Sequence, residues 1–201
     1  MKVLVACEFS GIVRAAFQQK GHDAWSCDLL PTEQKGNHIQ GNVLNILNNG
    51  WDLMIAHPPC TYLSNAGARH LFPKGQLNQE RYKKGLEAKK FFLNLLNSNI
   101  EKIAVENPIS SKIFELPKHT QTIQPYEFGH PFSKNTRLWL KNLPKLKTTN
   151  LIEKKYIKTF LPSNTSGFKN TNKNKNRYFP RNENRSRFWT GIAEAMADQW
   201  G

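Results

Sequence analysis

From residue 2 to residue 108, short apolar runs alternate with amphipathic stretches. Lys2-Val3-Leu4-Val5-Ala6-Cys7 is apolar after its first residue and ends at a polar turn, the pattern of a strand buried on both faces. Glu8-Phe9-Ser10-Gly11 follows, and Ile12 to Lys20 then reads as a helix that Gly21 stops. Asp23 to Cys27 is the next strand, with Asp28 just past its end, and Gly41-Asn42-Val43 forms a short turn. Trp51 to Ala56 is a further buried strand running into His57-Pro58-Pro59-Cys60. Gln79 to Asn97 is the longest helical segment, with Leu86, Phe91, Leu95 and Leu96 near helical spacing. Lys102-Ile103-Ala104-Val105 is a strand ended by Glu106-Asn107-Pro108. Strands alternating with helices predict an α/β fold of Rossmann-like type, a largely parallel sheet flanked by helices.

Three of these strands end in polar or turn residues: Glu8 to Gly11, His57 to Cys60, and Glu106 to Pro108. In open α/β sheets ligands bind beyond the carboxyl ends of the strands, so the candidate chemistry converges on one edge. After Trp139 the pattern changes. Residues 147–187 are rich in Lys, Asn, Arg and Ser, and Phe168 to Arg177 is of low complexity, a basic loop in character. Gly191 to Trp200 reads as a short closing helix. The expectation is one domain over 1–201, with 147–186 as a basic loop region.

Charge sharpens this picture. The 201 residues carry a formal net charge of +14, which favours a polyanionic partner, nucleic acid before an anionic membrane. No apolar run reaches membrane-spanning length, and Met1 to Cys7 reads as a strand rather than a signal peptide. Cys7, Cys27 and Cys60 are an odd count without paired spacing, which suits a reducing, cytoplasmic compartment and argues against a disulfide framework. No Cys/His cluster has zinc spacing, so no metal is expected.

Two residues at the converging strand ends carry distinctive chemistry. Carbon 5 of cytosine is a poor nucleophile, so its methylation requires prior addition of a nucleophile at carbon 6. A thiolate suits that step. The ring must also be held, with an acid engaging nitrogen 3 to stabilise the developing charge. Cys60 and Glu106 supply those two groups. A base in a duplex must leave the stack to reach them.

In these residues the chain resembles the DNA cytosine-5 methyltransferase family, especially its compact bacteriophage forms. Pro58-Pro59-Cys60 matches the family's nucleophile motif, and Glu106-Asn107 matches the motif of its cytosine-contacting acid. The resemblance implies S-adenosyl-L-methionine as cofactor, double-stranded DNA as partner with the target base flipped, and a bacterial or phage-infected cell as setting. It implies attack by Cys60 on carbon 6, methyl transfer to carbon 5, then proton loss and β-elimination. Phe9-Ser10-Gly11 resembles the cofactor loop, although Val13 stands in place of its usual second glycine. Asp28 stands where the family has its ribose-binding acid, and Asn42 where it usually has an Asp against the adenine amino group. Pro58 belongs to the same cofactor-facing set. Tyr126 to Arg137 partly keeps a basic motif, which makes Arg137 a candidate contact to the base or its phosphate, and Arg187 to Met196 resembles the closing segment. The likeness covers most of residues 3–139 and 186–201.

Larger members carry a long target-recognition domain between those blocks. Here residues 147–186 stand in its place, about forty residues, too few for an independently stable module without staples. Relaxed or very short sequence preference is therefore expected, with phosphate contacts supplying most affinity. Three alternatives remain open. An amino-methyltransferase would need a polar residue where His57 stands and an aromatic where Cys60 stands, although Tyr62 is near. A catalytically weak or inactive nucleic-acid-binding protein of the same fold would account for Asn42 and the altered glycine loop. RNA or a free nucleotide could replace DNA as substrate.

Overall fold

The computed structural model describes residues 1–160, the backbone of 177–178, and residues 188–201. The low-complexity tract and Arg187 lie outside the described residues, apart from the backbone of Arg177. Among the described residues the strands are β1 (Lys2–Ala6), β2 (Asp23–Asp28), β3 (His38–Gln40), β4 (Leu53–Ala56), β5 (Lys102–Pro108), β6 (Gln121–Ile123), β7 (Phe132–Ser133), β8 (Thr136–Lys141), β9 (Lys158–Phe160) and β10 (Arg177–Tyr178). The α-helices are α1 (Ile12–Gln19), α2 (Gln79–Leu96) and α3 (Thr190–Trp200).

The main sheet has the order β3-β2-β1-β4-β5-β8-β6. β3, β2, β1, β4 and β5 pair in parallel, while β8 runs antiparallel to both β5 and β6. This is the α/β, Rossmann-like sheet that the alternation of elements predicts. Strand alternation sorts its side chains onto two faces. Val3, Val5, Leu53 and Ile55 pack in one buried cluster with Val13 and Phe17 of α1 and Ile192 and Met196 of α3. Leu4, Ala6, Met54, Ile103 and Val105 pack in the other with Phe92 and Leu95 of α2 and Trp139 of β8. Every strand residue from Val3 to Ala6 and from Leu53 to Ala56 is fully buried, which is why these runs read as continuously apolar.

Element boundaries hold with instructive exceptions. α2 buries Gly85, Phe92 and Leu95, with Ala88 packed against the same cluster, whereas Leu86 is 43% exposed. Phe91, Leu95 and Leu96 of the predicted stripe pack in or against this cluster and only Leu86 points away; Gly85 takes the inward place, where it lets the Phe114 ring approach the helix backbone, and a β-carbon there would lie 2.1 Å from Phe114 Cζ. β5 continues through Glu106, Asn107 and Pro108, which pair with Leu138, Arg137 and Thr136 of β8. A long-range antiparallel partner extends a strand that the local pattern ends at Val105.

The segment after β8 contains the short strand β9. Within it β9 pairs in parallel with β7, which makes a second, three-stranded sheet of order β10-β9-β7. No helix among the described residues is long and apolar enough to cross a membrane.

α3 is held at its start by His130. Its Nε2 accepts a hydrogen bond from the Gly191 backbone N–H at 3.0 Å, and its ring lies 5.1 Å from that of Trp189. Burial holds the His130 imidazole below its ordinary value of 6.5, against a smaller opposing pull from Glu194. Burial likewise lowers His22 and His119. A lowered imidazole means that the unfolded chain takes up protons before the folded one does. This stabilisation is complete above about pH 6.5 and is lost as the pH falls from there through the folded values. The midpoint of thermal unfolding is expected to drop between pH 7.5 and pH 5, and His130→Gln should flatten part of that dependence. A midpoint that rises on acidification over this range would contradict it.

Candidate active site

Strand order reverses direction between β1 and β4, and a cleft of about 1530 Å³ opens there, beyond the carboxyl ends of the parallel strands. That is the switch-point position where open α/β sheets bind ligands. Its volume exceeds the roughly 300–1,000 Å³ usual for one small ligand.

One side of the cleft is built by the ends of β1 and β2. Cys7 leaves β1 with φ 59°, the left-handed turn that ends the strand. Glu8 then turns inward and is 4% exposed. Its carboxylate accepts from the backbone N–H groups of Val13 at 2.7 Å and Arg14 at 3.2 Å, and from Ser10 Oγ at 3.3 Å. A carboxylate in this place satisfies the donors at the start of α1 and complements the helix dipole. Gly11 takes φ 73° just before α1, and a β-carbon there would lie 2.6 Å from Arg14 Nη2. The glycine is therefore needed both for its backbone angle and for the space that Arg14 occupies.

Arg14 itself is fully buried. Its Nη1 donates to Ser26 Oγ at 2.8 Å and Thr32 Oγ1 at 3.2 Å, and its Nη2 to the carbonyls of Gln34 at 2.7 Å and Lys35 at 3.2 Å. This one side chain ties the loop after β2 to α1. Asp28, the last residue of β2, lines the cleft, and its Oδ1 accepts from the Leu30 N–H at 2.9 Å.

The other side is built by β4 and β5. Pro58, Pro59 and Cys60 line it after β4, and Glu106 lines it from β5. The loops beyond them are stitched together. Ser64 and Ser110 form an antiparallel bridge, flanked by hydrogen bonds from Asn65 N to Ile109 O and from Ser111 N to Leu63 O, both 2.7 Å. The segment after Cys60 is further tied to α2, since Arg81 Nη2 donates to the Thr61 carbonyl at 3.0 Å and its guanidinium lies 5.0 Å from the centre of the Tyr62 ring. Arg81, Lys84 and Lys134 line a cleft that also holds Glu8, Asp28, Glu80 and Glu106, with Lys84 paired to Glu80 at 2.6 Å.

Of the residues singled out from the sequence, Phe9, Ser10, Asp28, Pro58, Cys60 and Glu106 line this one cleft. Gly11, Asn42 and Arg137 stand outside its lining. Asn42 caps the short turn Val43–Asn45, with its Oδ1 accepting from the Leu44 N–H at 3.0 Å. Arg137 donates to Ser110 Oγ at 3.3 Å and so supports the bridge between the two loops.

The three cysteines differ in setting. Burial, with Asp28 and Cys27 adding to it, pushes the Cys7 thiol up to about 12. Burial and Asp28 raise Cys27 to about 11. Both stay protonated at neutral pH, although Cys7 lines the cleft, whereas Cys60 is half-buried on the opposite side. Sequence reading missed His57, which faces Glu106, and Glu8 and Arg14, whose roles depend on burial. An arginine in the first turn of α1, three residues after Gly11, is the only local sign of the last. Among the described residues no group of three or more His, Cys, Asp or Glu could hold a metal ion.

No protein-family model and no curated protein matches the chain. Among solved structures, an E. coli prophage-encoded protein assigned as a DNA modification methyltransferase aligns over 75% of this chain and 51% of its own, with 11% identity and a TM-score of 0.43. The Entamoeba histolytica methyltransferase EhMeth aligns over 75% of this chain and 57% of its own, with 14% identity and a TM-score of 0.46. The chain thus spans little more than half the length of the structures it matches.

Proposed function

We propose that the chain is an S-adenosylmethionine-dependent methyltransferase acting on carbon 5 of cytosine in DNA. The observation that carries this reading is the meeting of Cys60 and Glu106, from separate strand ends, in one cleft with Asp28 and the Phe9–Ser10 loop. The residues present fit the cofactor. Asp28 offers a carboxylate at a strand end for vicinal ribose hydroxyls, Phe9 and Leu30 offer apolar surface beside it, and the cleft has room for a nucleotide as well.

The bound cofactor supplies an electrophilic methyl group. The protein's own groups do the rest. The Cys60 thiolate forms a bond to carbon 6 and places electron density on carbon 5. Glu106 engages nitrogen 3 and stabilises the ring charge that appears on addition. After carbon 5 has taken the methyl group, a solvent water takes its remaining proton, the electron pair re-forms the 5,6 double bond, and the C6–S bond breaks to release the Cys60 thiolate and restore the aromatic ring. Arg81 and Lys134 in the cleft, with the net charge of +14, suit a polyanion carrying a flipped base.

The deciding experiment is incubation with labelled S-adenosylmethionine and DNA containing 5-fluorocytosine. Fluorine cannot leave as a cation, so the final elimination is blocked and a covalent protein–DNA adduct should accumulate. Methyl on the exocyclic nitrogen of the product, with no adduct, would overturn the reading. Asp28→Ala is expected to weaken S-adenosylmethionine binding in calorimetry by about 10- to 100-fold, the scale of a lost hydrogen-bonded charge. Unchanged affinity would remove Asp28 from the cofactor site.

A further inference from the structure

His57 leaves β4 with its backbone N–H bonded to the Ala6 carbonyl at 2.9 Å, so its position is set by the sheet. Its side chain is 12% exposed, and its Nδ1 lies 3.9 Å from Glu106 Oε2. The Phe188 ring covers it, with centroids 4.4 Å apart. Neither ring nitrogen has a hydrogen-bond partner, and neither reaches solvent. A buried imidazole with both nitrogens unpaired is costly and calls for a reason. The nearest carboxylate is Glu106, and the gap is too long for a hydrogen bond yet short enough to close with a small rotation. Catalytic hydrogen bonds are often long before substrate binds and tighten in the complex.

We infer that His57 is a positioning residue: its Nδ1–H closes onto Glu106 Oε2 when a base enters, and orients the carboxyl so that Oε1 is left for the base. Phe188 holds the imidazole from the far side and keeps water from competing for Nδ1. The inference rests on the proposed function for its catalytic consequence, but not for the pairing itself. The chemistry distinguishes the two ring nitrogens. An asparagine places its amide N–H near the position of Nδ1, whereas a glutamine places it near Nε2.

Two measurements test it. In single-turnover methylation of cytosine-containing DNA, His57→Ala should slow transfer by about 10²-fold, the scale of a misplaced reacting group. The KM for S-adenosylmethionine should stay unchanged. His57→Asn should recover most of the rate and His57→Gln little of it; equal rates for the two would overturn the inference, as would a wild-type rate in His57→Ala. The second readout needs no activity. Nitrogen NMR of the His57 ring in the wild-type protein, with cytidine monophosphate and S-adenosylhomocysteine added, should show the Nδ1-protonated tautomer, and Glu106→Ala should abolish that preference. A tautomer indifferent to Glu106 overturns the pairing. Loss of all methylation by the wild-type protein, with the tautomer still dependent on Glu106, overturns the proposed function and leaves the pairing standing.

Discussion

Cys60→Ser is expected to lower methyl transfer to DNA by at least about 10³-fold, the scale at which a covalent nucleophile is lost. It should also abolish the 5-fluorocytosine adduct. A serine hydroxyl keeps the size of the side chain but is almost wholly protonated at neutral pH. S-adenosylmethionine binding should persist in the variant, because Phe9, Ser10 and Asp28, proposed to face the cofactor, lie at the ends of β1 and β2 across the cleft, and the substitution leaves Pro58 in place. Peptide mapping of the wild-type adduct should place the DNA on Cys60. Cys7 lines the same cleft, but its thiol is pushed up to about 12 and cannot compete as a thiolate. An adduct that maps to Cys7, or one that survives Cys60→Ser, would contradict this assignment.

The second large effect falls on stability. Arg14→Met should cost about 3–5 kcal/mol, as when one partner is removed from a buried charged network. Methionine matches the length of the arginine stem but leaves Ser26 Oγ, Thr32 Oγ1 and the carbonyls of Gln34 and Lys35 without their donor. Burial works against the Arg14 charge and the nearby Glu8 carboxylate supports it. The Glu8 carboxylate, itself buried, would lose that support. Whole domains are stable by only about 5–15 kcal/mol, so urea unfolding should show a large fall in midpoint. Arg14→Lys should be intermediate, because a single ammonium cannot reach both sets of acceptors. Cofactor affinity should fall with it, since the loop that Arg14 anchors begins at Asp28, Leu29 and Leu30. A loss below about 1 kcal/mol would show that the network is not holding the loop.

How far the site could be read locally depends on what positions each residue. Asp28, Cys60 and the Phe9–Ser10 loop follow from strand runs that end in turn residues, and each stands where its strand ends. Glu106 sits within β5 rather than beyond it, because Leu138 of β8, far downstream, pairs with it. β9 escaped notice because three residues with no apolar alternation, Lys158–Phe160, become a strand by pairing with β7 on one side and β10 on the other. His57 looks like a strand terminator until β5 brings Glu106 alongside.

Apolar runs by themselves determined the parallel core and its order of elements, since burial on both faces leaves no other use for such strands. The Pro-Pro-Cys and Glu-Asn pairs by themselves named Cys60 and Glu106 as the reactive candidates. Only the tertiary structure decided which residues support them. The stitching of Ser64 to Ser110, the hydrogen bonds of buried Arg14 to Ser26, Thr32, Gln34 and Lys35, and the approach of His57 to Glu106 all join positions distant in the chain. Such contacts leave no periodic trace, because their energy depends on shared burial and direction rather than on local propensity.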